Sequence, residues 1–91
     1  MEELKEIKDT LHYLKMYVYT TLQQEVETIQ KNKVTDEETL VALFYRIMIM
    51  AEDEFFYNLY YKLINYVETF DRDFGSEYRS RLKSFLDSRY N

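Results

Sequence analysis

Apolar residues recur at every third or fourth position along the first third of the chain. They are Leu4, Ile7, Leu11, Leu14, Val18, Leu22, Val26 and Ile29. The first five follow the heptad a/d spacing of coiled coils, and the later four-residue steps shift the stripe as a stutter does. The pattern predicts one amphipathic helix over about residues 2–31, roughly 45 Å long, and therefore an elongated molecule.

Polar residues interrupt this pattern after residue 30. Lys31 suits the C-terminus of a helix, and Asn32 tolerates the left-handed backbone conformation in which many helices end. Thr35 and Glu38 then have the spacing of a capping box, in which each side chain bonds the other residue's backbone N–H. The sequence therefore predicts a short turn, followed by a second helix that folds back antiparallel to the first.

The second helical segment is apolar on nearly every side. Eleven of the twelve residues over 40–51 are apolar, as are eleven of the sixteen over 55–70. Strict alternation with a period of two is absent, which argues against a strand. No glycine or proline interrupts the helical phase, so we predict one helix over 36–74, continuous or kinked near 52–54. In the alternative, the segment divides there and Asp53 is the N-cap of a separate helix.

The single glycine, Gly75, is predicted to end that helix in a left-handed conformation, with Ser76 as the N-cap of a third helix. The third helix covers about residues 76–89. Its apolar face consists of Tyr78, Leu82, Phe85 and Leu86. The predicted fold class is all-α, with two long antiparallel helices and a short C-terminal helix in a single domain over residues 1–91.

Composition narrows the kinds of protein that fit this helical pattern. The 91 residues suffice for one small domain, and the absence of cysteine excludes disulfides, thiolate metal ligands and a thiol nucleophile. The net charge is −5, with a basic excess confined to residues 76–91. This balance argues against nonspecific binding of the whole chain to nucleic acid or anionic membrane. Ten tyrosines and six phenylalanines make aromatic side chains the most unusual feature of the composition.

The apolar excess of the second helix predicts that another chain covers part of it. A helix that is apolar on nearly all sides needs cover on nearly all sides, and tyrosine suits interfaces because it combines a large surface with a polar tip. We therefore predict a helical-bundle homodimer or a bound target protein. The predicted interface residues are Phe44, Arg46, Ile47, Phe55, Phe56, Tyr57, Tyr60 and Tyr61. The alternative is that the first and third helices of the same chain cover this helix.

Two groups of basic residues indicate more specific interactions. Arg46 lies alone in an apolar segment, so it is predicted to pair with a carboxylate or stack on an aromatic ring, and to fix the register of a symmetric dimer. The C-terminal helix mixes cations with tyrosines, as proteins that bind single-stranded nucleic acid do. The candidate nucleic-acid residues are Arg79, Arg81, Lys83 and Arg89. The simpler interpretation is that these cations are solvated or pair with acidic side chains.

Motifs for catalysis or metal binding are absent from the sequence. Asp9 and His12 stand one helical turn apart, but a metal site in a helical bundle needs further ligands and the chain has one histidine. The acidic residues between 52 and 73 lack the glycine-containing loop pattern of a calcium site. We therefore predict no catalytic residues, no metal site, no cofactor and no small-molecule substrate.

The expected location is cytoplasmic, because the first residues lack the apolar run of a signal peptide and no apolar stretch is long enough to span a bilayer. The function predicted first is a noncatalytic protein–protein interaction module, a small regulator or inhibitor of the kind that viruses and mobile elements encode. The alternative is a small nucleic-acid-binding regulator that uses the basic C-terminal helix. A structural or assembly protein is the third possibility.

Overall fold

A computed structural model describes the backbone of residues 2–50 and 54–90, and the side chains of residues 4–50 and 54–88. Its helices are α1 (Glu2–Lys31), α2 (Glu37–Ile49), α3 (Glu54–Glu68) and α4 (Arg72–Tyr90). The described segments contain no β-strand, so the all-helical class is confirmed. The molecule measures 51 × 35 × 17 Å, which confirms the predicted elongated shape.

α1 matches the helix predicted over residues 2–31, but it ends differently. Lys33, with a φ of 52°, takes the left-handed conformation that the sequence predicts for Asn32. The N–H of Asn32 still donates to the Thr28 carbonyl at 2.9 Å, so the hydrogen bonding of the helix continues through that residue. The next two N–H groups bond carbonyls of the last turn at 3.3 and 3.0 Å, which is a Schellman arrangement.

Asp36, and not Thr35, caps the N-terminus of α2. Its carboxylate accepts hydrogen bonds from the Thr39 N–H at 3.0 Å and from the Thr39 hydroxyl at 2.6 Å. The predicted Thr35 cap is therefore wrong by one residue, since aspartate serves at a helix N-cap at least as well as threonine. Both hydrogen bonds favour the ionised carboxylate and hold the pKa of Asp36 below its usual value of 3.8.

Replacing Asp36 by alanine is expected to lower the urea midpoint of unfolding at neutral pH, because α2 loses its capping acceptor. The pKa of Asp36 is lower in the folded chain than in the unfolded chain. Its ionised form therefore adds stability above pH 3.8, and this contribution is lost as the pH falls through the lowered folded-state pKa. The difference in midpoint between the native chain and Asp36→Ala should shrink accordingly in acid.

Asp36→Asn is the matched control for this prediction, because its amide oxygen accepts the same hydrogen bonds without titrating in this range. A difference between the native chain and Asp36→Ala that stays constant from neutral to acid pH would contradict the ionised cap.

The helix predicted over residues 36–74 is divided, so the prediction of a second long helix is wrong. α2 already ends at Ile49, where the N–H of Met50 bonds two carbonyls of the last turn. The predicted cap Asp53 lies outside the described residues. The apolar pattern does not reveal the division, because successive helices that face one core carry apolar residues throughout.

A second break separates α3 from α4. The N–H groups of Phe70 and Asp71 donate to the Val67 carbonyl at 3.1 and 2.8 Å and close the end of α3. The Asp71 carboxylate accepts a hydrogen bond from the Phe74 N–H at 3.1 Å and thereby caps α4. The final helix therefore begins at Arg72, four residues earlier than predicted.

Gly75 lies inside α4, so its predicted role as a left-handed helix end is wrong, as is the N-cap predicted for Ser76. The reason for a glycine here is a close approach between α3 and α4. A Cβ atom at position 75 would lie 2.2 Å from Cγ and 3.3 Å from Cβ of Glu68. The Glu68 carboxylate accepts from the Arg79 Nε–H at 3.0 Å, which holds that side chain in place.

Replacing Gly75 by alanine is expected to destabilise the fold by about 1 kcal/mol, because overpacking costs about 1–3 kcal/mol and the gain in helix propensity is about 1 kcal/mol. Thermal unfolding measures this loss. In a Glu68→Ala background, which removes the atom 2.2 Å away, the same substitution should cost less. A G75A variant as stable as the native chain would show that Glu68 moves aside freely.

α3 is the central helix and packs against each of the other three. The hydroxyl of Tyr66 donates to the Val34 carbonyl at 2.6 Å, which ties α3 to the connection between α1 and α2. We call residues 18–50 and 54–88 the helical body. Its buried core contains Leu22, Val26, Ile29, Leu40, Leu43, Phe44, Ile47, Phe56, Tyr57, Leu59, Tyr60, Leu63, Ile64, Val67, Tyr78 and Leu82.

Candidate interaction surface

The first half of α1 presents a continuous row of exposed apolar side chains. Further along the same stripe, Val18 is partly buried and Leu22 belongs to the core. A continuous apolar row on a surface marks an interaction site, whereas a single exposed apolar residue does not. Four side chains, each between 56% and 62% exposed, form the row that we call the α1 seam: Leu4, Ile7, Leu11 and Leu14.

The lengths of the helices explain why the seam is exposed. α1 has 30 residues and measures about 45 Å, whereas α2 has 13 and α3 has 15 residues, about 20 Å each. α2 and α3 therefore cover only the second half of the apolar stripe on α1, and the covered part begins at Val18. The apolar pattern requires a partner over the whole stripe, and the helical body supplies one for the second half.

Polar side chains border the seam on both sides. In the heptad that begins with Leu4 at position a, Lys8 and Lys15 take e positions and Thr10 takes a g position. Side chains at e and g positions lie where they meet a partner helix. Residues 4–17 carry three lysines and two acidic residues, so this segment is close to neutral within a chain of net charge −5.

The apolar surface continues from the seam into a groove between α1 and α2. Arg46 forms an ion pair with Glu25 beside this groove. Arg46 therefore pairs with a carboxylate, as predicted, and it does so at the surface. The groove has a volume of about 300 Å³, and its apolar lining includes Tyr17, Val18, Leu22, Ile49 and Met50.

Most of the residues predicted to form an interface lie instead in the chain's own core. The Phe44 ring stacks on Tyr78 with the ring centroids 4.3 Å apart, and the Tyr60 centroid lies 5.0 Å away. The alternative, in which the chain covers its own middle segment, therefore holds for the buried members of the set. These are Phe44, Ile47, Phe56, Tyr57 and Tyr60.

The other predicted interface residues, Arg46, Phe55 and Tyr61, are exposed. The Phe55 ring makes an edge contact with Tyr19, with centroids 5.6 Å apart. Phe55 and Tyr61 are six positions apart on α3 and therefore point to different sides of that helix. They therefore do not form a continuous apolar row, as the seam residues do.

A second groove, of about 670 Å³, lies between α2 and α4 and has an aromatic floor that includes Phe44, Tyr60 and Tyr78. Arg81 lines the same groove, with its guanidinium 4.8 Å from the centroid of the Tyr78 ring. Burial and the neighbouring Tyr78 raise the pKa of Tyr60 above its usual value of 10.0. The Tyr60 phenol therefore stays uncharged at neutral pH and serves the packing of the core.

Two basic residues of α4, Arg79 and Arg81, make contacts within the chain. Arg79 donates to Glu68 at 3.0 Å, and Arg81 pairs with an acidic residue one turn away at 2.7 Å. Lys83 is exposed, and the side chain of Arg89 lies outside the described residues. Pairing with acidic groups, the simpler interpretation of these cations, therefore holds for Arg79 and Arg81.

His12 is exposed, and its ring lies edge-on to that of Tyr13 with centroids 6.4 Å apart. Within residues 4–50 and 54–88, no group of three histidine or acidic side chains is placed to hold a metal ion. Likewise, none of the helices in the described segments combines the length and apolar character needed to cross a membrane. Among the described residues, the exposed apolar row on α1 is a surface feature that packing in the core does not explain.

Comparisons with protein-family models, with curated proteins and with solved structures found no match. The sequence does contain a signal for the seam, because strict heptad spacing stops at Val18, where the stripe changes to steps of four. The periodicity alone does not show which part of the stripe the chain covers by itself.

Proposed function

We propose that this chain is a noncatalytic protein–protein interaction module that acts through the α1 seam. The observation that carries the proposal is a row of four large aliphatic side chains, each more than half exposed, at a/d spacing on a helix that extends beyond the helical body. Such a row has the form of one half of a coiled-coil interface. A small domain of this kind regulates by occupying a helix of its partner and not by chemistry.

The shape and charge of the seam favour a helix as its partner. The seam is a convex row, and another helix fits such a row by inserting its side chains between those of the first. Nucleic acid requires a basic surface that neutralises phosphates, and the nearly neutral segment over residues 4–17 does not provide one.

The free energy available at the seam supports a specific but weak association. Full burial of a Leu or Ile side chain contributes ~1.5–3 kcal/mol, so the exposed half of each seam residue is worth about 1 kcal/mol. Four such residues on each of two helices contribute about 8 kcal/mol, against an association cost of at least about 4 kcal/mol. Since each of these figures spans about a factor of two, we expect a dissociation constant of roughly 100 µM to 1 mM.

The seam variant, Leu11→Glu with Leu14→Glu, tests the proposal. Its matched control, His12→Glu with Tyr13→Glu, adds the same charge on the outward side of the same turns. At low micromolar concentration, the native chain and the control should bind an apolar fluorescent dye, and the seam variant should lose most of that signal. All three should unfold within about 0.5 kcal/mol of one another in urea, because the substituted side chains are exposed.

Two outcomes would contradict the proposal. A seam variant that unfolds, while the control does not, would show that Leu11 and Leu14 pack within the chain's own fold. Equal dye binding by the native chain and the seam variant would show that the accessible apolar surface lies elsewhere.

A further inference from the structure

We propose that the partner of the α1 seam is a second copy of this chain, bound antiparallel, so that the two helical bodies lie at opposite ends of the paired α1 helices. This inference rests on the proposed function and adds the identity and the orientation of the partner. It moves the predicted homodimer interface from the middle segment to α1, because five of the eight residues predicted for the middle segment are buried.

The spacing of the seam matches itself when one copy is reversed. In an antiparallel pair, the a positions of one helix meet the d positions of the other. Leu4 then faces Leu14 of the second copy, and Ile7 faces Leu11, so every seam residue meets an aliphatic side chain of the same size. A surface that pairs completely with its own copy is what a two-fold symmetric dimer requires.

The position of the helical body decides the orientation of the pair. The body packs on the same stripe of α1 that carries the seam, from Val18 to Ile29. In a parallel pair, the two bodies would have to occupy the same space, because each lies on the inner side of the same stretch of its own α1. In an antiparallel pair, each body lies beyond the first residues of the other copy's α1. Only the antiparallel arrangement therefore buries the seam without overlap.

Charge weakly opposes the antiparallel pairing, and this repulsion provides a test of the orientation. In the antiparallel pair, Lys8 at its e position lies near Lys8 of the second copy. Repulsion between exposed charges is weak and screened by salt, so it lowers the affinity without changing the arrangement. Association should therefore strengthen as the salt concentration rises. A mixture of the native chain with Lys8→Glu should associate more tightly than either protein alone.

Disulfide trapping tests the partner and the orientation together, because the chain contains no cysteine of its own. Leu4→Cys and Leu14→Cys are oxidised in a glutathione buffer, each alone and mixed, at high micromolar concentration. The mixture should form the 4–14 linked dimer at least about tenfold faster than either variant links to itself, because pairing raises the effective concentration of facing thiols toward the millimolar range. Asp9→Cys, on the outward side of α1, controls for random collision.

Three results would overturn this inference. Faster linking of Leu4→Cys to itself than to Leu14→Cys would indicate a parallel pair. Mixed linking no faster than that of Asp9→Cys would show that the seams do not meet. A native chain that sediments as a monomer at high micromolar concentration would show that the partner is another protein. In this last case the dye measurement still decides the proposed function, so the two failures are distinguishable.

Discussion

Replacing Phe44 by alanine is expected to lower the free energy of unfolding by about 3–5 kcal/mol, which is a large part of the 5–15 kcal/mol typical of a whole domain. Phe44 is fully buried, stacks on Tyr78 and contacts the ring of Tyr60. Its removal leaves a cavity between α2, α3 and α4 that aromatic neighbours cannot fill without leaving their own sites. Urea unfolding followed by circular dichroism, at low micromolar concentration, measures the loss.

The adjacent residue provides the control for this substitution. Tyr45 has the same backbone environment in α2 but is 67% exposed, so Tyr45→Ala should change the stability by no more than about 0.5 kcal/mol. The opposite result would be a Phe44→Ala variant that has the same urea midpoint as the native chain but associates more weakly with itself. Phe44 would then belong to an interface, as the sequence predicts.

The seam variant, Leu11→Glu with Leu14→Glu, is expected to lower the self-association constant at least about a hundredfold. Each copy loses about 1 kcal/mol of apolar burial at each of two positions, so a dimer loses about 4 kcal/mol, nearly a thousandfold, before the cost of burying the carboxylates is counted. Sedimentation velocity over a concentration series measures the change. The native chain should shift from monomer to dimer, and the variant should remain a monomer.

The control with His12→Glu and Tyr13→Glu separates the position of the new charges from their number. It carries the same net charge as the seam variant, so it should retain the association of the native chain to within a few fold. Equal weakening in both variants would show that the added negative charge, and not the loss of the seam, disrupts the pair.

Hydrophobic periodicity is sufficient to predict α1 and the all-helical class, because both depend on local spacing and on the scarcity of glycine and proline. It does not determine where each helix ends. Asp36 outcompeted Thr35 as a cap by making two hydrogen bonds with Thr39, and Gly75 served a close contact with Glu68 inside a helix. The contact at Gly75 depends on how α3 and α4 pack, whereas the Asp36 cap is a local contact between residues three positions apart.

Five of the eight residues predicted for an interface lie in the core because the chain covers much of its own middle segment. The middle of the chain is the more apolar part, but its division into α2 and α3 lets the two helices cover each other, with α4 closing over Phe44. The first half of the apolar stripe on α1 stays exposed because α2 and α3 are each about half as long as α1.

Hydrogen–deuterium exchange at two protein concentrations tests most directly whether the chain associates through the α1 seam. Between low micromolar and near-millimolar concentration, the amides of residues 4–17 should become protected, and those of the seam variant should not. Amides of α3, including those near the exposed Phe55 and Tyr61, should exchange equally at both concentrations, because the proposed pairing through α1 does not cover α3. Concentration-dependent protection over residues 55–61, with none over residues 4–17, would contradict this account.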